Sequence, residues 1–214
     1  MPTYRVNSIA DTDLAKVDFE AAETGNVANR RPESSNHTPT VKFRVLRGQK
    51  FLYVRFDVND RYVRSVQTEF NSPVCTDSCV EFFVEPKPGR GYFNFEINAG
   101  GTLLCSHIED PTRTPNGLAK FTALTPDECR TVEIISTLPR TVDPEITDPI
   151  QWSVCYRIPL AIFEQHIGEV DFDHPWRANF YKCGDKTSHP HWLSWSPVTA
   201  LNFHLPECFG SLEF

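Results

Sequence analysis

Val41-Lys42-Phe43-Arg44-Val45 and, past a turn at Gly48, Leu52-Tyr53-Val54-Arg55-Phe56-Asp57-Val58 decide the fold class. Apolar and polar residues alternate through both runs. A period of two puts the apolar set on one side of an extended chain, so the runs read as a hairpin with one buried face.

The same signature recurs downstream. Ser78 to Val84 reads as a strand, stopped by Pro86 and by Pro88-Gly89. Phe93, Phe95 and Ile97 alternate with Asn94, Glu96 and Asn98, and Gly100-Gly101 then turns the chain. Leu103–Ile108, Val132–Ile135, Trp152–Tyr156 and Trp176–Tyr181 follow the same pattern. Helical spacing is confined to Leu160, Ile162, Phe163 and Ile167, just before Gly168. Residues 1–39 are polar and poorly periodic, with a loop over 31–39, and 110–130 and 138–151 read as Pro-rich loops. Seventeen prolines and ten glycines punctuate the rest. Many short alternating strands with turns between them predict an all-β antiparallel sandwich or barrel with one short helix. No repeat or linker divides the chain, so a single domain over 1–214 is expected.

Charge and hydropathy exclude several functions. Twenty-one Lys and Arg stand against 28 Asp and Glu, a net charge of −7, and no basic run occurs. A phosphate backbone or an anionic membrane needs a clustered positive footprint, so neither is an expected partner. No apolar stretch approaches the roughly 20 residues of a membrane helix. Met1-Pro2-Thr3-Tyr4-Arg5 has no apolar h-region, so no secretory leader is expected there. The seven cysteines are an odd count and form no disulfide framework; they read as buried thiols of a reducing compartment.

The densest chemistry lies in Asn179–Pro197, with two Trp, two His, two Lys, a Tyr, an Asn and an Asp. Indole planes suit the C–H faces of sugars, and amides and carboxylates suit their hydroxyls. Trp192 and Trp195 are the candidate platforms. The plainer reading makes them core plugs, above all Trp195 in Ser194-Trp195-Ser196. Cys183, His189 and His191 also suggest zinc, with Cys208 or His204 as fourth ligand, although the spacing matches no zinc pattern. Glu81 and Glu96, on neighbouring predicted strands and flanked by apolar residues, could share a face and serve as the carboxylate pair of a glycosidase. Their alternation is equally that of solvated positions. No Gly-x-Ser-x-Gly elbow occurs, and Gly89-Arg90-Gly91 is a hairpin turn rather than a phosphate loop. Asp57, Asn59 and Asp60 could hold a structural calcium or simply make a turn.

Several segments together resemble the carbohydrate-binding family 9-like domains, relatives of xylanase-associated sugar-binding modules and of the DOMON superfamily. They are Leu52–Val58, Asp77-Ser78-Cys79-Val80-Glu81-Phe82-Phe83-Val84, Tyr92–Gly101, Trp176–Lys182, His191–Pro197 and the closing Phe203-His204-Leu205-Pro206-Glu207-Cys208-Phe209-Gly210. The resemblance runs from about residue 40 to the end. It implies an immunoglobulin-like or jelly-roll sandwich that binds carbohydrate without catalysis, often exported, sometimes beside a glycoside hydrolase in polysaccharide degradation, and often with structural calcium. Some DOMON relatives bind haem, but the only Met here is Met1, which argues against a Met axial ligand. The resemblance casts Glu81, Glu96 and Asn98 as hydroxyl partners and Trp192 or Trp195 as stacking residues. With Asn179 and His191 from the late loop, these form the expected sugar-binding set. Two departures stand out. The stretch before the Asp-Ser-x-Val-Glu strand, Asn71–Thr76, lacks the usual Trp, leaving Tyr62, Phe70 or Trp176 to complete an aromatic sandwich. Phe19 stands where an early Trp is usual.

Overall fold

A computed structural model describes residues 1–115 and 117–214. The main elements are β1 (Thr40–Arg47), β2 (Phe51–Asp60), β3 (Cys79–Glu85), β4 (Tyr92–Asn98), β5 (Ser106–Thr114), β6 (Gly117–Ala123), α1 (Pro126–Thr131), β7 (Ile150–Pro159), α2 (Leu160–Ile167), β8 (Trp176–Cys183), β9 (Trp192–Ser194) and β10 (Gly210–Glu213). Two sheets face each other. The first runs Thr3–Arg5, β10, β8, β3, β4, β5, β6, and the second Glu133–Ser136, β7, β2, β1, Asn7–Ser8. This is the expected β-sandwich, antiparallel through its middle.

The opening hairpin forms as its alternation requires, with Phe43 opposite Phe56 and Val45 opposite Val54. β7 lies along β2 from Ile150↔Asp60 to Pro159↔Phe51. The inward residues of both sheets make one core. Phe43 stacks on Phe180 with ring centroids 3.6 Å apart, and Phe82 stacks on Phe180 at 4.9 Å. α2 closes this core with Leu160, Ile162, Phe163 and Ile167, and Gly168 ends the helix at φ 77°, a conformation glycine adopts without strain.

Three expectations change. The segment read as a loop over 110–130 contains most of the β5–β6 hairpin and α1; residue 116 lies outside the described residues. Beyond Ile108 this hairpin is a sheet edge with little burial on either face, so it has no apolar alternation to read. The 138–151 stretch holds a strand over Val142–Ile146, paired with Val63–Ser65. The polar start supplies short edge strands: Thr3–Arg5 runs parallel to β10 and Asn7–Ser8 parallel to β1. Pieces of two or three residues are too short to show a period. No helix among the described residues is long and apolar enough to cross a membrane.

Candidate functional site

Alternation along β3, β4 and β8 gives the first sheet two different faces. Val80, Phe82, Phe95, Ile97 and Phe180 point into the core. Cys79, Glu81 and Phe83 of β3, Asn94 and Glu96 of β4, and Tyr181 and Cys183 of β8 occupy the alternate positions. Across the ladders Tyr181 pairs with Glu81 and Glu81 with Glu96, so a tyrosine and two carboxyls line up side by side.

An outward face would ordinarily be wet, yet Glu81 and Glu96 are only 2% and 6% exposed. Chain segments from elsewhere roof them over. Phe203 stacks on Tyr181 at 4.1 Å, and the Tyr181 hydroxyl donates to the Phe203 carbonyl at 3.0 Å. His204 is held by the Tyr92 hydroxyl at 2.8 Å from Nδ1. Arg113, reaching over from β5, donates to Asn202 Oδ1 at 3.3 Å. On another wall Trp192 donates its indole N–H to Asp185 Oδ1 at 2.7 Å. Between these groups remains a hollow of about 240 Å³, lined by Glu81, Glu96, Phe83, Arg113, Asp185, Trp192, Phe203, His204 and their neighbours.

The enclosure sets the charge states. Burial pushes the Glu81 carboxyl well above its usual range; the adjacent Glu96 adds to this, while the Cys183 thiol, donating at 3.1 Å, opposes it. Burial likewise lifts Glu96 to about 7, against the pull of the Asn94 amide at 2.8 Å. Asp185 is raised by burial and partly restored by the Trp192 indole. Burial lowers His204 to about 3, helped by the Arg113 charge. Near neutrality the hollow therefore holds carboxyls that can both donate and accept, a neutral imidazole, one guanidinium and flat apolar rings.

The expected sugar-binding residues separate into two groups. Trp192, Glu81 and Glu96 meet at the hollow; Trp195, Asn98, Asn179 and His191 do not line it. Trp195 packs edge-on against Phe43 and Phe180, both at 5.6 Å, as the core reading anticipates. Asn98 spends its amide on Asp77 and the Gln67 carbonyl, and its oxygen accepts from the Thr102 N–H at 2.8 Å. Asn179 is tied to Ser196 and to the Phe180 N–H. His191 lies on the inward side with Lys182, whose ammonium is 2.7 Å from Nε2. None of Tyr62, Phe70, Trp176 and Phe19 lines the hollow. Trp176 is sealed against Phe172, and Tyr62 stacks on His189. The second aromatic wall comes instead from Phe203, in the closing segment quoted for the resemblance but not singled out from it.

The proposed metal ligands disperse too. Cys183 points to the outer face, His191 to the inner, and His189 onto Tyr62, so they cannot share one zinc. The calcium donors at the end of β2 diverge. Asp57 is matched by Arg44 and Arg55, both within 2.9 Å. Asp60 turns inward to Lys182 at 3.3 Å, His37 at 2.7 Å and the Trp152 indole. Protein cations already neutralise both carboxylates, and the pair does not fit calcium.

A sequence model described as carbohydrate-binding family 9 matches residues 11–214. Among solved structures, a candidate carbohydrate-binding protein from Bacteroides uniformis ATCC 8492 is 28% identical, with a TM-score of 0.85 over 98% of this chain and 97% of its own. A family 9 carbohydrate-binding module from Caldicellulosiruptor kristjanssonii, solved with glucose, is 14% identical with a TM-score of 0.65, covering 99% of this chain and 95% of the other. The complex of such a module with cellotriose gives 15% identity and a TM-score of 0.61, over 99% and 93%. No curated protein matches.

Proposed function

For a chain that belongs to carbohydrate-binding family 9, we propose that the hollow over β3, β4 and β8 receives a sugar ring, as a non-catalytic binding site. The observation that carries the reading is the meeting of Trp192 and Phe203 with the buried pair Glu81 and Glu96 in one open cavity. The rings offer apolar planes to the C–H faces of a pyranose. Glu81, Glu96, Asp185, His204 and Arg113 offer donors and acceptors to its hydroxyls. At about 240 Å³ the hollow lies below the ~300 Å³ at which small-molecule sites usually begin, which suits a single ring or a chain end. The glucose and cellotriose held by the Caldicellulosiruptor modules favour glucose-type ligands as first candidates.

The carboxyl pair argues for binding over hydrolysis. A glycosidase sets its two carboxyls on either side of the scissile bond. Glu81 and Glu96 sit directly opposite on adjacent strands of one sheet, so both approach a ligand from below. The biological role we propose is to hold a polysaccharide-degrading glycoside hydrolase near its substrate.

Calorimetric titration with glucose and with cello-, xylo- and manno-oligosaccharides tests this. Weak but saturable binding is expected, because hydroxyl partners must be ordered and bound water displaced. Trp192→Ala should weaken the binding by about tenfold or more. No binding of any of these sugars at millimolar concentration, or an unchanged titration in the variant, would overturn the reading.

A further inference from the structure

Cys79 and Cys183 are register partners across the β3–β8 ladder, and Glu81 follows Cys79 on the same face. Their two sulfurs and a Glu81 carboxylate oxygen all lie within 4.8 Å of one another. The three side chains are buried, and the Cys183 thiol already donates to Glu81. Glu81 and Cys183 both line the hollow, together with a third thiol, Cys75. We propose that this corner of the hollow is a binding site for a thiophilic divalent cation such as zinc, held by Cys79, Cys183 and Glu81, with the remaining position facing the cavity or filled by Cys75.

The donor set selects the metal class. Two thiolates and one carboxylate suit zinc and its d¹⁰ congeners; calcium and magnesium prefer oxygen throughout. Three protein donors with one position left open is a recurrent zinc arrangement. The surroundings favour a cation as well. Glu81, Glu96 and Asp185 crowd the hollow, and Arg113 is the only Lys or Arg among the described residues that line it. Binding forms two metal–sulfur bonds and one metal–oxygen bond. The protons on the two thiols, and that on Glu81 where present, pass to solvent, and no electron is transferred. The second cluster of ligand-type side chains, His37, Asp60 and His191, differs in kind. There the Lys182 ammonium stands 3.3 Å from Asp60 and 2.7 Å from His191, so the cationic position is already taken.

The test is titration of the fully reduced chain, residues 1–214, with cadmium and with zinc, without sugar. Cadmium should bind stoichiometrically, with the ultraviolet charge-transfer band of a metal thiolate and with proton release. Cys79→Ser and Cys183→Ser should each weaken binding by at least about tenfold and reduce the band, while Cys155→Ser, on the other sheet, should leave it intact. Glu81→Gln keeps the shape of the side chain and both thiols; it should retain a band yet bind more weakly, which guards against misreading a misfolded cysteine variant. Absence of a band in the wild type, or equal affinity in the Cys79, Cys183 and Glu81 variants, would overturn the proposal. Because sugar titrations of metal-free protein are separate, such a failure leaves the carbohydrate reading standing.

Discussion

Glu81 and Glu96 stand directly opposite each other on β3 and β4, both buried, with the Cys183 thiol on one carboxyl and the Asn94 amide on the other. Two carboxylates this close in a dry setting resist ionising together. Sheet geometry brings them together, and the roof contributed by residues 201–204 keeps them from water.

That arrangement makes stability depend on pH. Glu96 has a folded-state pKa of about 7, above the 4.5 of a free glutamate. Its contribution is fully present below about pH 4.5 and is lost as pH rises through about 7. Glu96→Gln removes this titration. Urea unfolding at pH 5 and pH 8 should show the wild type losing about 2–3 kcal/mol relative to the variant over that interval. Parallel changes in the two proteins would contradict the assignment.

The two tryptophans of the late loop should behave oppositely. Trp192 stands at the hollow, half-buried, so Trp192→Ala should raise the sugar Kd by about tenfold or more, near 1.4 kcal/mol, with little effect on unfolding. Trp195 packs against Phe43 and Phe180. Trp195→Ala should cost about 3 kcal/mol of stability and leave Kd unchanged in the fraction that folds. Paired calorimetry and denaturation on both variants check this, and a reversed pattern would assign the stacking role to Trp195.

Arg113 offers a gentler probe. It is exposed, comes from an edge hairpin, and among the described residues its side chain donates to Asn202. Arg113→Ala should therefore spare the fold within about 0.5 kcal/mol. Loss of a charged hydroxyl partner should weaken sugar binding several-fold, by about 1 kcal/mol. Unaltered affinity would remove Arg113 from the site.

The parts of the molecule legible in its sequence are those where one face carries the apolar residues of the core and the element is long enough to show it. The β1–β2 hairpin, β3, β4, β8 and α2 all announce themselves this way. The edges do not, since the β5–β6 hairpin beyond Ile108 is largely wet on both sides. Helix α1 had a signal that periodicity ignores. Thr125-Pro126-Asp127-Glu128 is a capping box with proline at the first turn, and the Thr125 hydroxyl and Glu128 carboxylate make the reciprocal bonds. For the site, alternation correctly set Glu81 and Glu96 on a shared face but suggested they were solvated. Their burial depends on Phe203 and His204, more than a hundred residues away in sequence, which no local pattern reports. Trp195 looked like its neighbour Trp192 because both are indoles three residues apart; only the core that one packs against and the hollow that the other lines tell them apart.

Lys182 extends the inward row of β8 beyond Phe180, and alternation alone would make that position apolar. Instead its ammonium is wholly buried, 3.3 Å from Asp60, 2.7 Å from His191 and 3.0 Å from the Cys183 carbonyl. Burial works to raise the Asp60 carboxyl, but the Lys182 charge and the His37 hydrogen bond outweigh it and hold Asp60 well below the usual carboxylate range. Such a group contributes stability above its unfolded-state pKa of about 4, lost as the pH falls further. Burial and the Lys182 charge together keep His191 neutral, lowered to about 3. Removing either partner of the ion pair strands a charge in the core, so Asp60→Ala and Lys182→Met should each cost about 3–5 kcal/mol. The double variant strands none. Its loss should fall short of the sum of the single losses by at least about 2 kcal/mol in a double-mutant cycle followed by urea unfolding. Additive losses would mean that the two residues stabilise the core separately, and that the ammonium is not the counterion that holds Asp60 inside the sandwich.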